Sequence, residues 1–193
     1  MRSYDKYIAA LFAFLMIGFL ILAAISEPFF NWAYERHQNQ LSWYIRPLFL
    51  IPFCYFAYKH SLAGISITVF CLFTSMFWFS APATVSEDVK MFLQFEKDWL
   101  MKDWDISKVL LVLTIPLSFI LLSTAFWKRS LWLGLAVIIL MATGKVLWSI
   151  SNAGEAGMSI IVPAVTGLLI CLVFIYCGHM RLHRRKNETS SPE

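Results

Sequence analysis

Charge is scarce in this chain. Asp, Glu, Lys and Arg supply 15% of its 193 residues, where a soluble domain carries about 25%. The hydrophobic share is 59%, with 17 Phe and 8 Trp. That is more apolar surface than one small core can hide, since small domains bury only about two-thirds of their surface. A soluble enzyme and a disordered chain are excluded on that ground. Cysteine is absent between the apolar runs: Cys54, Cys71, Cys171 and Cys177 all lie inside them, so there is no disulfide framework. Small apolar packing is their expected role.

Catalytic and cofactor signatures are missing too. There is no Walker loop, no Gly-rich dinucleotide turn, no zinc-peptidase helix and no nucleophile elbow. No carboxylate lies deep in an apolar run, so a proton- or sodium-coupled carrier lacks its usual relay. No pair of histidines faces across the core for haem. His179 and His183 are four apart, but cations crowd the pair and a metal site is not expected there. Neither a metal nor a cofactor is expected. The first three runs do not repeat in the last three, which argues against an inverted-repeat transporter.

What the chain does have is apolar runs of membrane length. A hydrocarbon core about 30 Å thick needs roughly 20 residues per helix. Runs at 7–25, 41–58, 62–79, 109–127, 131–150 and 158–177 predict an all-α, polytopic integral membrane bundle of six transmembrane helices. They form a single domain over 1–178, followed by a basic and polar cytoplasmic tail over 179–193. The second run contains Arg46, Pro47 and Pro52, so a re-entrant or tilted segment is the alternative there. Arg2 and Lys6 before the first run resemble a signal peptide, but the run exceeds a usual signal core and reads as an anchor.

Cations and acids sort by side. With both termini inside, the inner segments hold Arg2, Lys6, Lys59, Lys128, Arg129, Arg181, Arg184, Arg185 and Lys186 against Asp5, Glu188 and Glu193. The outer segments hold the other nine acids and only Arg36, Arg46, Lys90, Lys97, Lys102 and Lys108. This is the positive-inside pattern of a bacterial inner membrane or a plasma membrane. The net charge of +4 is that bias showing through, so no nucleic-acid partner is expected.

Two outer segments are long enough to be structured. Aromatics in 26–40 suit the membrane interface. In 80–107, Ser86 caps a helix over about 86–104 with Glu87 and Asp88 in its first turn. Val89, Phe92, Leu93, Trp99, Leu100 and Trp104 recur at three- and four-residue steps, and only Glu96 interrupts the stripe. An amphipathic helix follows, lying on the outer surface or capping the bundle.

Ionisable groups inside spans are functional candidates by default. Lys145 lies about 7–8 Å below the outer end of the fifth run. A lysine stem can snorkel that far. At a similar depth stand Thr74 and Ser75, Thr114 and Ser118 around Pro116, and Thr166 with Pro163. Convergence of these groups would line a small outward cavity with Lys145 as its fixed charge; helix–helix hydrogen bonding is the blander role of the hydroxyls. Arg46 is expected in the headgroups, or paired with Glu27 or Glu155 at span ends. Ala164, Gly167 and Cys171 read as a close-packing seam.

Three function classes follow. The first is a membrane protein that binds a lipid or small anionic ligand from the outer side, as an accessory subunit or permeation pathway. The second is a lipid-modifying membrane enzyme using Glu27, Glu35, His37, Asp103 or Glu155. The third is an oligomeric channel. The expected partners are the bilayer, a bound lipid or anion, and a homo-oligomer or larger membrane complex.

Overall fold

The structure is a computed structural model describing residues 3–188, with side chains described for residues 4–182. The side chains of His183, Arg184, Arg185 and Lys186, and all of 189–193, lie outside the described residues. So do those of Arg2 and Ser3. The described chain is helical, with no strand: α1 Ser3–Ile25, α2 Glu27–His37, α3 Leu41–Leu48, α4 Leu50–Tyr58, α5 Leu62–Thr74, α6 Glu87–Met101, α7 Ile106–Trp127, α8 Leu131–Ala153 and α9 Ile161–Glu188. Three stretches are long and apolar enough to cross a membrane: Tyr4–Ile25, Ile106–Trp127 and Leu131–Leu182, the last holding α8, a 3-10 turn and α9. Leu62–Phe77 is apolar but shorter.

Local rules account for the boundaries. Ser26, Ser61 and Asp105 cap α2, α5 and α7 by accepting from Phe29, Gly64 and Lys108 backbone N–H groups. Ser86 stands at the α6 N-cap with extended backbone but makes no side-chain cap bond; Glu87 and Asp88 occupy the first turn. The second apolar run is not one helix. It breaks at Phe49 into α3 and α4, because Pro47 and Pro52 each withhold an N–H and crowd the preceding turn.

Contacts between the helices give their directions. Asp5 meets Ser61, Leu62 and Ala63 at the start of α5, and Phe12 packs on Phe70 further along, so α1 and α5 run parallel. Tight turns reverse α4 into α5 and α7 into α8, and Tyr58 touches His179 late in α9. One end of the bundle therefore gathers both tight turns, the start of α1 and the late part of α9. The opposite end gathers α2, α6 and the 3-10 turns.

The two tight turns are built alike. In one, Ser61 N–H donates to the Phe56 carbonyl and His60 N–H to Ala57; in the other, Ser130 N–H donates to Ala125 and Arg129 N–H to Phe126. This is the Schellman closure, whose left-handed position glycine usually takes. Here His60 (φ 58°) and Arg129 (φ 59°) take it, at about 1 kcal/mol or more of backbone strain each. Their side chains cross over. His60 stacks on Trp127, 4.5 Å between centroids, and its Nε2 lies 3.0 Å from the Trp127 carbonyl; Arg129 lies 5.2 Å over Tyr58. The sequence matches along with the geometry: Lys-His-Ser-Leu at 59–62 answers Lys-Arg-Ser-Leu at 128–131, and Pro47 and Pro116 each stand thirteen residues ahead of the left-handed residue. The likeness relates the second and third runs to the fourth and fifth, a pairing that comparing the two halves of the chain misses.

The main core joins Phe53, Cys54, Ala57, Leu122, Phe126, Ile138 and Cys171 between α4, α7, α8 and α9. Gly167 lies where a Cβ would come 2.6 Å from the Pro47 ring, and the Cys171 thiol donates to the Pro47 carbonyl at 3.1 Å. The small-residue seam of α9 thus closes on α3. A second core at the opposite end joins Val89, Phe92 and Leu93 of α6 to Trp43, Ala156 and Ile160. In contrast, α1 contributes no buried residue along its apolar window.

Candidate functional site

Between the two cores lies a cavity of about 360 Å³. Its wall is apolar, with Leu50, Leu72, Phe73, Phe119, Ile138, Met141 and Leu168 from five helices. Four polar residues also line it: His37 from α2, Arg46 from α3, Glu96 from α6 and Lys145 from α8. An apolar chamber bearing a few convergent polar groups is the general form of a small-ligand site.

Each polar group is held by its neighbours. Lys145 pairs with Glu96, and its ammonium lies 4.8 Å over Trp148 and 5.4 Å over Phe92. Glu96 is the one acid on the apolar face of α6, and packing α6 on the bundle brings it to this lysine. Arg46 Nη2 lies 3.4 Å from His37 Nδ1, and the Ser42 hydroxyl lies 3.1 Å from the same nitrogen. A guanidinium can only donate, so Nδ1 is the acceptor and the neutral ring carries its proton on Nε2. The Trp43 indole N–H donates to the His37 carbonyl at 2.9 Å and fixes the backbone there.

His37 is 5% exposed. Burial, with Arg46 and then Lys145 adding repulsion, holds its pKa well below the ordinary 6.5, so the ring is neutral at pH 7. Burial raises the Tyr34 hydroxyl above its ordinary 10, with Glu96 adding to the rise and Arg46 opposing it. Two donors at the site are unsatisfied: Arg46 Nε is buried without an acceptor, and His37 Nε2 has no hydrogen-bond partner among the described residues. Two cations against one carboxylate leave this group of residues with a net positive charge.

The residues expected to accompany Lys145 do not line the chamber. Thr74, Ser75, Thr114 and Ser118 donate to carbonyls of their own helices, at Phe70, Leu72, Leu111 and Ile115. That local bond competes with any contact across the bundle. Thr166 faces outward on α9 and is exposed. Only Lys145 and Pro163 of that set line the cavity. The structure does not bring Arg46 to Glu27 or Glu155. Glu27 in the first turn of α2 and Glu155 in the second 3-10 turn are exposed, and neither forms an ion pair among the described residues. Arg46 turns inward instead, to His37.

Lys108, counted above among the outer cations, is 6% exposed. Its ammonium donates to the carbonyls of Trp99, Leu100 and Lys102 and lies between the Trp99 and Trp104 rings. It satisfies the open carbonyls at the end of α6 and ties that helix to α7. The chain matches no protein-family model, no curated protein and no solved structure.

Proposed function

We propose that this is a multi-pass membrane protein of six crossings, with both termini cytoplasmic, that holds an anionic amphiphile in the cavity between α3, α7, α8 and α9. The observation that carries the reading is Arg46: a buried cation with an unused N–H, at an apolar chamber that offers no carboxylate free of another partner. An isolated buried charge is costly unless paired. A carboxylate or phosphate on the ligand supplies the acceptor, His37 Nε2 a further donor, and the apolar wall takes one hydrocarbon chain.

The six-crossing reading rests on alternating direction. From α1 to α9, six apolar segments alternate in direction between the two ends, and cations predominate at the end with the tight turns. The remaining outer segments hold most of the acids. On this reading α6 is an amphipathic cap, packed by Val89, Phe92 and Leu93. Entry from the bilayer is favoured by α7, whose Ile115 lines the chamber and is 46% exposed.

Native mass spectrometry of the full chain extracted in a neutral detergent tests the reading. The expected result is a retained anionic amphiphile, weakened about fivefold or more by Arg46→Gln and less by Lys145→Met. A protein that retains nothing, or retains equally in both variants, overturns it.

A second reading is supported by one feature. Of the five groups expected to serve a lipid-modifying enzyme, only His37 lines the chamber, and it would act as a general base once Arg46 released its Nδ1 lone pair. A lipid-turnover assay comparing the wild type with His37→Gln separates the two: binding without turnover leaves the protein a carrier or accessory subunit.

A further inference from the structure

The tight-turn end holds a second pocket, of about 250 Å³, lined by Tyr58, Lys59, His60, Arg129 and Leu182. It is unlike the first. No carboxylate among the described residues lines it. Neither Lys59 nor Arg129 forms an ion pair among the described residues. Asp5, the acid at this end among the described side chains, is occupied in accepting from the Ser61 hydroxyl and the Leu62 and Ala63 N–H groups. Among the described residues, two cations therefore line one polar pocket with no carboxylate paired to either.

The backbone adds an independent observation. Both left-handed positions of the tight turns are filled by residues that line this pocket, His60 and Arg129, where glycine would relieve the strain. Strained backbone held by its surroundings clusters at binding sites. Each turn lends its left-handed side chain to the other, so the pocket exists only while the two hairpins are clasped. The ring of Tyr58 lies under the Arg129 guanidinium at 5.2 Å and keeps the fork from folding onto the helix.

We propose that this pocket binds a phosphate group, held by the Arg129 fork and the Lys59 ammonium, at the face opposite the amphiphile site. A tetrahedral anion with several oxygens matches one planar fork and one point charge arriving from two different turns. The phosphate of an inner-leaflet phospholipid and a soluble phosphate ester share this chemistry. The proposal uses the tight-turn end alone and stands whether or not the outer cavity takes an amphiphile.

The test uses the full chain in nanodiscs of phosphatidylcholine alone and with one-third phosphatidylglycerol, with inorganic phosphate as the soluble probe. Lipid retention is read by native mass spectrometry and the probe by phosphorus relaxation. Lys59→Gln and Arg129→Asn are the test variants, asparagine being tolerated in left-handed backbone; Lys128→Gln and Arg181→Gln are the controls. Each test variant should lower phosphatidylglycerol retention about fivefold and the pair about twentyfold, while the controls change it less than about twofold. Loss of inorganic-phosphate binding in the test variants alone, with lipid retention unaffected, assigns the pocket to a soluble phosphate and supports the same chemistry. Equal losses in tests and controls, or no loss in the test variants, overturn the proposal. Thermal unfolding of each variant and an Arg129→Lys replacement, which keeps the charge but removes the fork, separate lost binding from lost fold.

Discussion

The two ends of the bundle solve the same problem with different materials. At the tight-turn end, neighbours in sequence do the work: each hairpin closes through its own carbonyls, a serine stands at the N-cap of the next helix, and the crossed side chains of His60 and Arg129 join the turns. At the cavity end, His37, Arg46, Glu96 and Lys145 arrive from four helices. Local closure makes a polar end cheaply. Long-range closure can enclose a chamber, but it leaves charges that must be answered from far along the chain.

That contrast can be broken first through packing. Phe92 on α6 is 2% exposed, so Phe92→Ala should cost about 3 kcal/mol, seen as a lowered Tm in detergent. Little change would mean that α6 rests on lipid and not on Trp43 and Ile160. Gly167→Val should cost about 1–3 kcal/mol, because the added carbons meet the rigid Pro47 ring.

Charge gives a finer test. Glu96 is the cavity's own anion, so Glu96→Gln should strengthen retention of an anionic ligand by a few-fold while lowering stability by about 1 kcal/mol or less, given the half-exposed lysine partner. Weaker retention would show that the carboxylate helps to bind the ligand.

Acid should act on the same end. The His37 pKa is lower folded than unfolded, so below 6.5 the unfolded chain takes up the proton that the folded ring resists. Its contribution is whole above that pH and is lost as the pH falls toward the folded value. Thermal unfolding between pH 7.5 and 5 should show this fall, and His37→Gln should flatten it. At the other end, Asp5→Ala removes three accepted hydrogen bonds from the start of α5 and should lower the Tm only slightly, because the carboxylate is solvent-exposed.

The sequence made some of this legible. Apolar runs located the long helices α1, α7 and α8 within a few residues, because hydropathy is a local property, but the second run broke into α3 and α4 and α9 continues to Glu188, past the sixth run. The start of α6 was readable from Ser86, Glu87 and Asp88. The site was readable only at its charged members. Lys145 stood out by its cost, yet the hydroxyls at its depth bonded their own helices, which depth alone cannot reveal. Glu96 carried a signal, a lone acid on an apolar stripe, whose partner forty-nine residues away appears only when α6 packs. Arg46 turned inward to His37, and the two prolines mark the break between α3 and α4 without giving that direction.

The most direct measurement is a density map of the purified full chain at a resolution that shows side chains. An elongated feature between Phe119 and Met141, ending within hydrogen-bonding distance of Arg46 Nε, is the expected result. A chamber holding only water, or an Arg46 that swings out to the surface, contradicts it.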